Sequence, residues 1–167
     1  MSEKITDKTE ALAAVKDSGW ELANVSDELK ADKEVVMAAV KDVASALEYA
    51  SDELKADKEF MIAAVKVSSY ALEHASDELK ADKEVVIAAV TDYSEQGLNH
   101  GDNFMYASNE LQADKEVVMA AVNNDVDALL ENGSIMDALE YASDELKTDP
   151  EILGGVDVDY LKKRGIL

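Results

Sequence analysis

The sequence predicts an all-α protein: a right-handed superhelical solenoid of helical repeats of about 25 residues, each α-α or α-3₁₀, with two insertions. Three observations predict it. One phrase, "ASDELKADKEVVIAAV" at Ala75–Val90, recurs with small changes at Val25–Val40, Ala50–Val65 and Ala107–Val122. The chain is 47% apolar, yet only nine residues are aromatic. Small side chains suit helices packed at close range better than a β-sandwich, which favours branched and aromatic residues. There is one proline and there are seven glycines, too little turn punctuation for many short strands.

The period is read from the aspartate that opens each "DKE"-like block: Asp7, Asp32, Asp57, Asp82, Asp114 and Asp149. The steps are 25, 25, 25, 32 and 35 residues, so two copies carry extra chain, inserted between "AAV" and the following "YAS". Residues 1–153 read as one helical-repeat domain. It comprises a half-repeat, 1–16, and repeats 17–40, 41–65, 66–90, 91–122 and 123–153, with 154–167 as a degenerate C-terminal cap or tail.

Each repeat reads as two helical pieces. In "ASALEYASDELK", Ala46, Leu47, Ala50 and Leu54 fall on one helical face. Ser51 is placed to cap a fresh turn, "DEL", which leaves open one helix of about three turns or a short helix plus a 3₁₀ turn. Asp57 is placed to cap the next helix, a feature worth roughly 1 kcal/mol. The second piece, "FMIAAV", is apolar almost all round, which predicts a helix covered on two sides. A single repeat cannot bury its own apolar face, so neighbours must stack. The ends depart from the pattern. The first copy is only "DKTEALAAV", and the last decays to "DPEILGGVD", where Gly154 and Gly155 predict the end of the helix.

The stretch "ALEYASDELKADKEVVMAAVK" resembles the short tandem repeats catalogued as domain of unknown function forty-one-sixteen. The matching residues are Leu47, Tyr49, Ala50, Ser51, Leu54, Asp57 and Glu59, then Ala63, Ala64 and Val65, with equivalents in other copies over about residues 17–149. The resemblance implies an α-helical repeat array and no catalytic residues. The layout also resembles leucine-rich-repeat variant solenoids, in which α and 3₁₀ pieces alternate.

Net charge is −21, which disfavours nucleic-acid backbones and anionic membranes as partners. Cysteine is absent, so thiolate metal sites, disulfides and cysteine nucleophiles are excluded. The longest apolar run is the six residues of "VVIAAV", and the N-terminus is charged from its third residue. Those features predict a cytoplasmic protein. No phosphate-binding glycine loop, nucleophile elbow or dinucleotide fingerprint is present, so the expectation is a protein that is not an enzyme and takes no cofactor or metal.

Candidate partner-binding residues form a column. Asn24, Tyr49, His74, Tyr106 and Tyr141 occupy equivalent places, and beside them run Ala23, Glu48, Glu73, Met105 and Glu140. Tyrosine is favoured at interfaces; the alternative is that these rings only seal the seams between repeats. His100 and Asp102, in the first insertion, are further candidates. The two insertions, 91–103 and 123–136, are expected to emerge on one edge of the array, as a site or as a spacer. The reading is an acidic, monomeric helical-repeat module for protein–protein interaction or scaffolding, its partner another protein, a basic one by charge. The alternative is a divalent-cation-binding or acidic charge-mimic protein.

Overall fold

A computed structural model describes residues 4–91, 101–122, 137–154, 158–165 and 167. Every regular element among them is helical, and one isolated parallel bridge pairs Ile5 with Val25. None of these helices is long and apolar enough to cross a membrane.

Each repeat has three pieces. The long helices are Lys8–Asp17, Lys33–Asp42, Lys58–Val67 and Lys83–Thr91, and 115–122 are helical in a fifth. Each of the first three ends in a residue with extended backbone: Ser18, Val43 and Ser68. The chain then turns into a six-residue 3₁₀ helix: Gly19–Asn24, Ala44–Tyr49 and Ser69–His74, with Gly101–Tyr106 in the fourth repeat. Single α-turns follow, at Asp27–Lys30, Asp52–Lys55, Asp77–Lys80, Asn109–Gln112 and Asp144–Lys147. The amphipathic piece is thus split, and Ser51 does cap its own turn, accepting from the Leu54 N–H at 3.4 Å. A 3₁₀ helix places residues i and i+3 on one line. The buried residues keep that step: Ala44, Leu47 and Ala50 in one copy, Ser69, Leu72 and Ala75 in the next.

Long helices stack on long helices and 3₁₀ helices on 3₁₀ helices, giving two layers with one core between them. Valines from the long helices (Val35, Val36, Val40) meet leucines from the 3₁₀ helices (Leu22, Leu47, Leu72), all at 0% exposure. An inner long helix is covered on two sides by its neighbours in the stack and on a third by the 3₁₀ layer. Its outward side stays open, where Met37 and Ile62 are half-buried and Ala63 is exposed. The first 3₁₀ helix approaches its neighbour closely. A Cβ on Gly19 would lie 2.6 Å from the Ala39 carbonyl oxygen and 2.8 Å from a Val43 methyl group.

Two ladders join the repeats. One is backbone. The N–H of Ser51 donates to the Lys30 carbonyl at 2.9 Å, Ser76 to Lys55 at 2.9 Å, Ser108 to Lys80 at 2.9 Å and Ser143 to Gln112 at 3.1 Å. At the N-terminal end the Ser26 N–H donates to Ile5 at 2.8 Å, so the segment before the first helix stands in for the missing turn.

The other ladder explains the "DKE" block. Asp82 accepts from the Glu84 and Val85 N–H groups through Oδ1, capping its helix, while Oδ2 takes the Lys58 ammonium of the preceding repeat at 2.8 Å. Lys58 also reaches Glu84 at 2.9 Å. Lys8, Lys83 and Lys115 make the same double bridge to Asp32 and Glu34, Asp114 and Glu116, and Asp149 and Glu151. Lys33 meets Asp57 at 2.6 Å. In the last copy Pro150 replaces the forward-reaching lysine, and its helix, Pro150–Leu153, stops before Gly154. A further helix, Val158–Arg164, follows.

The ladder sets a pH signature. The Lys58 hydrogen bond holds the Asp82 carboxyl below its ordinary value of 3.8, and Asp82 and Glu84 hold Lys58 above 10.5. A depressed carboxylate stabilises the fold above its unfolded pKa, and that contribution is lost as pH falls through the folded value; the raised lysine's is present below 10.5 and lost as pH rises through its folded value. Asparagine still caps a helix. The stability gap between the wild type and Asp82→Asn is therefore expected to be steady from about pH 5 to 8 and to close below about pH 4. Urea titration across that range checks it; a gap that persists in strong acid would assign the effect to capping rather than to the ion pair.

Candidate functional site

The 3₁₀ layer turns one side to the core and the other to solvent. Four large apolar side chains are exposed among the described residues, and three of them sit on this layer: Trp20 (48%), Tyr70 (38%) and Met105 (45%). The candidate column runs beside them. Tyr49, His74 and Tyr106 are each the last residue of a 3₁₀ helix, and Tyr141 ends the helix Asp137–Tyr141. All four are half-buried, while Glu48, Glu73 and Glu140 are exposed. Three of these column residues are tyrosines. Their inner edges pack on the core, and their outer edges reach the open face.

The rings and acids are coupled across repeats. Trp20 meets Tyr49 edge to face, with centroids 6.4 Å apart and planes at 78°. The Lys30 ammonium lies 5.9 Å from the centre of the Tyr49 ring. A hydrogen bond with Glu48, then burial, pushes the Tyr49 hydroxyl above its ordinary pKa. Burial does most to raise Tyr106, followed by the charge and hydrogen bond of Glu73, one repeat back. His74 sits in the tyrosine column with its Nε2 buried and unpartnered among the described residues, and burial lowers its pKa. Burial thus favours its neutral form, in keeping with a position otherwise given to tyrosine.

The 3₁₀ helices need partners for their last carbonyls. Lys55 donates to the Glu48 carbonyl at 3.0 Å. In the fourth repeat Gln112 replaces lysine and serves two carbonyls, Phe104 at 3.2 Å and Met105 at 3.1 Å. That repeat also carries a buried polar pair, the Asn103 amide donating to the Ser69 hydroxyl at 2.7 Å, at a position held by Glu21, Ala46 and Ala71 in the first three copies.

The structure brings together Tyr49, Glu48, His74, Glu73, Tyr106 and Tyr141 on one face. His100 lies outside the described residues, as do 92–100 and 123–136, most of the two insertions. Asp102 falls within the fourth 3₁₀ helix. Met105 belongs to the column read beside the tyrosines, whereas Trp20 and Tyr70 were not singled out from the sequence. The signal for Trp20 and Tyr70 was present in the three-residue step, which puts the position after the buried Gly19 or Ser69 on the open side. Among the described residues no group of three or more histidines, aspartates or glutamates is placed to hold a metal ion. Aromatic faces edged by carboxylates are chemically suited to ammonium and guanidinium groups, which pair with the acid and lie over the ring.

Three stretches, residues 7–55, 57–95 and 98–131, match the family described as Domain of unknown function (DUF4116). The chain belongs to that family. The three matches together span more than half of the chain and follow its tandem repetition. No curated protein and no solved structure matches it.

Proposed function

We propose that this DUF4116 chain is a monomeric, non-enzymatic protein-binding module, a right-handed solenoid of roughly 25-residue repeats. It holds a basic segment of a partner protein along the 3₁₀ face. The observation that carries this reading is the exposure of Trp20, Tyr70 and Met105 beside Glu48 and Glu73, in a chain of net charge −21. Soluble proteins seldom group large exposed apolar side chains except where something covers them. Arginine or lysine of the partner would sit on Tyr49 as Lys30 already does.

Trp20 is the chain's one tryptophan, so its fluorescence reports this face directly. An arginine-rich peptide is expected to shift Trp20 emission saturably, with affinity that falls as salt rises through the physiological range. Glu48→Gln with Glu73→Gln should weaken capture several-fold and leave the melting temperature nearly unchanged, because both side chains are exposed. Flat emission, or equal affinity in the double variant, refutes the reading.

A further inference from the structure

The Nε2 atom of His74 is buried and makes no hydrogen bond among the described residues. Buried polar atoms in folded proteins are nearly always paired, so an exception asks for an explanation. A neutral imidazole carries one N–H and one bare nitrogen. Whichever of the two Nε2 is, it is left unsatisfied. Tyrosine ends the corresponding 3₁₀ helices of the second and fourth repeats, at Tyr49 and Tyr106. A tyrosine does not change charge in mild acid, whereas histidine does. The third repeat thus carries a titrating ring where its two neighbours carry a neutral one.

The ring stands at a seam. His74 closes the third 3₁₀ helix, which packs on the 3₁₀ helices before and after it and on the long helices Lys58–Val67 and Lys83–Thr91. Two residues on, the Ser76 N–H donates to the Lys55 carbonyl at 2.9 Å, the ladder bond between the second rung and the third. The charged groups that act on the ring are Glu73 beside it, Lys55 and Glu48 of the preceding repeat, and Lys80 of the following turn. Glu48 is engaged by the Tyr49 hydroxyl, and Glu73 by the Tyr106 hydroxyl from the fourth 3₁₀ helix. The two long helices carry their charged residues in the first and last turns: Lys58, Glu59 and Lys66 on one, Lys83 and Glu84 on the other. Around the imidazole two acids and two lysines oppose one another, and burial, the largest influence, decides for the neutral form.

Protonation puts a hydrogen on both ring nitrogens. A buried cationic N–H without an acceptor is costly. The ring as a whole is only half-buried, and Glu48 and Glu73 are exposed. Rotated outward, the charged ring meets water and those two carboxylates. It then vacates the packing beside the Ser76 ladder bond. We propose that His74 is a proton-sensitive joint in the middle of the array: in mild acid the ring leaves the seam, and the second and third rungs part more easily. The joint does not depend on what the 3₁₀ face holds. Above about pH 7 the imidazole is neutral in the folded and the unfolded chain and adds no pH dependence. As pH falls through the ordinary value of 6.5 the unfolded chain takes up the proton first, so stability falls until the lower folded value is reached.

The test compares the full chain with His74→Tyr, a residue type this column accepts, and with His74→Gln, which is neutral at every pH. Carboxylates and His100 are common to all three chains and cancel in the comparison. Urea unfolding between about pH 7.5 and about pH 5 gives the ratio of unfolding constants, wild type over either variant. That ratio is expected to stay constant above about pH 7 and to grow several-fold by about pH 5, rising about tenfold for each pH unit over which only the unfolded chain holds the proton. The wild-type denaturant slope should fall over the same range while both variants keep theirs, because rungs that part separately unfold in smaller units. Proton NMR of the folded wild type reads the ring itself. The chain has two histidines, so the imidazole signal absent from His74→Tyr is that of His74, and it should titrate below 6.5. A His74 signal that titrates at 6.5 or above, a ratio that stays flat down to about pH 5, or an unchanged wild-type slope overturns the proposal.

Discussion

Truncating Leu72 to alanine is expected to cost about 3 kcal/mol, within the 2–5 kcal/mol range for a buried leucine that leaves a cavity. Leu72 has no exposed surface, and it lies in the third 3₁₀ helix, which packs on the long helices Lys58–Val67 and Lys83–Thr91 and on the 3₁₀ helices before and after it. Its neighbours along the 3₁₀ line, Ser69 and Ala75, are too small to fill the space left behind. Stability in a stacked array is a sum of repeat and interface terms, so damage to an inner rung weakens two interfaces at once. Leu79, at 7% exposure on the following single turn, is the comparison. Urea unfolding of the two alanine variants should place the Leu72 change well below the Leu79 change in stability. A Leu72 loss under about 1 kcal/mol would mean that the 3₁₀ layer is a loose cover rather than half of the core.

Why Leu72 matters was only half legible in the sequence. The repeat, its aspartate caps and the tyrosine column could be read because each is written several times in register. The choice between an α-helix and a 3₁₀ piece stayed open. Leu47, Ala50 and Leu54 satisfy a helical template of i, i+3 and i+7, and the extended backbone at Val43 and Ser51 that divides the pieces leaves no mark in composition. The lysine of "DKE" could not be read. Inside one copy Lys58 reads as a solvated first-turn residue. Its partner, Asp82, is 24 residues away and becomes a neighbour only through stacking. The apolar run "FMIAAV" does lie between neighbours in the stack, but its outward side was not legible: alanine counts as apolar in a pattern, yet Ala63 is exposed. The column residues Tyr49, Tyr106 and Tyr141 were found because they repeat. Trp20 and Tyr70 were missed because their column holds serine in the copy between, Ser45.

The seam itself is tested by replacing Ser76 with proline. Ser76 has φ −62° and ψ 158°, and Ala75 before it has φ −63° and ψ 155°. Proline fixes φ near −65° and asks its predecessor for an extended conformation, so the backbone accepts it without strain. What is removed is the N–H that donates to the Lys55 carbonyl at 2.9 Å, the bond that joins the second rung to the third. The proline ring also occupies the space of that hydrogen and presses on the oxygen. A lost bond that leaves its partner unpaired costs about 1–3 kcal/mol. The lost hydroxyl cap, which accepts from the Leu79 N–H at 3.4 Å, adds at most about 1 kcal/mol. Ser76→Ala isolates that second part, since it keeps the N–H. The expected order is wild type, then Ser76→Ala lower by about 1 kcal/mol or less, then Ser76→Pro lower by about 3 kcal/mol. A weak seam in the middle of an array also lets its two sides unfold separately, so the denaturant slope of the proline variant should fall while that of the alanine variant holds. If proline and alanine at position 76 behave alike, side-chain packing and the Lys58–Asp82 bridge hold the rungs together, and the backbone ladder is a consequence of stacking rather than a cause of it.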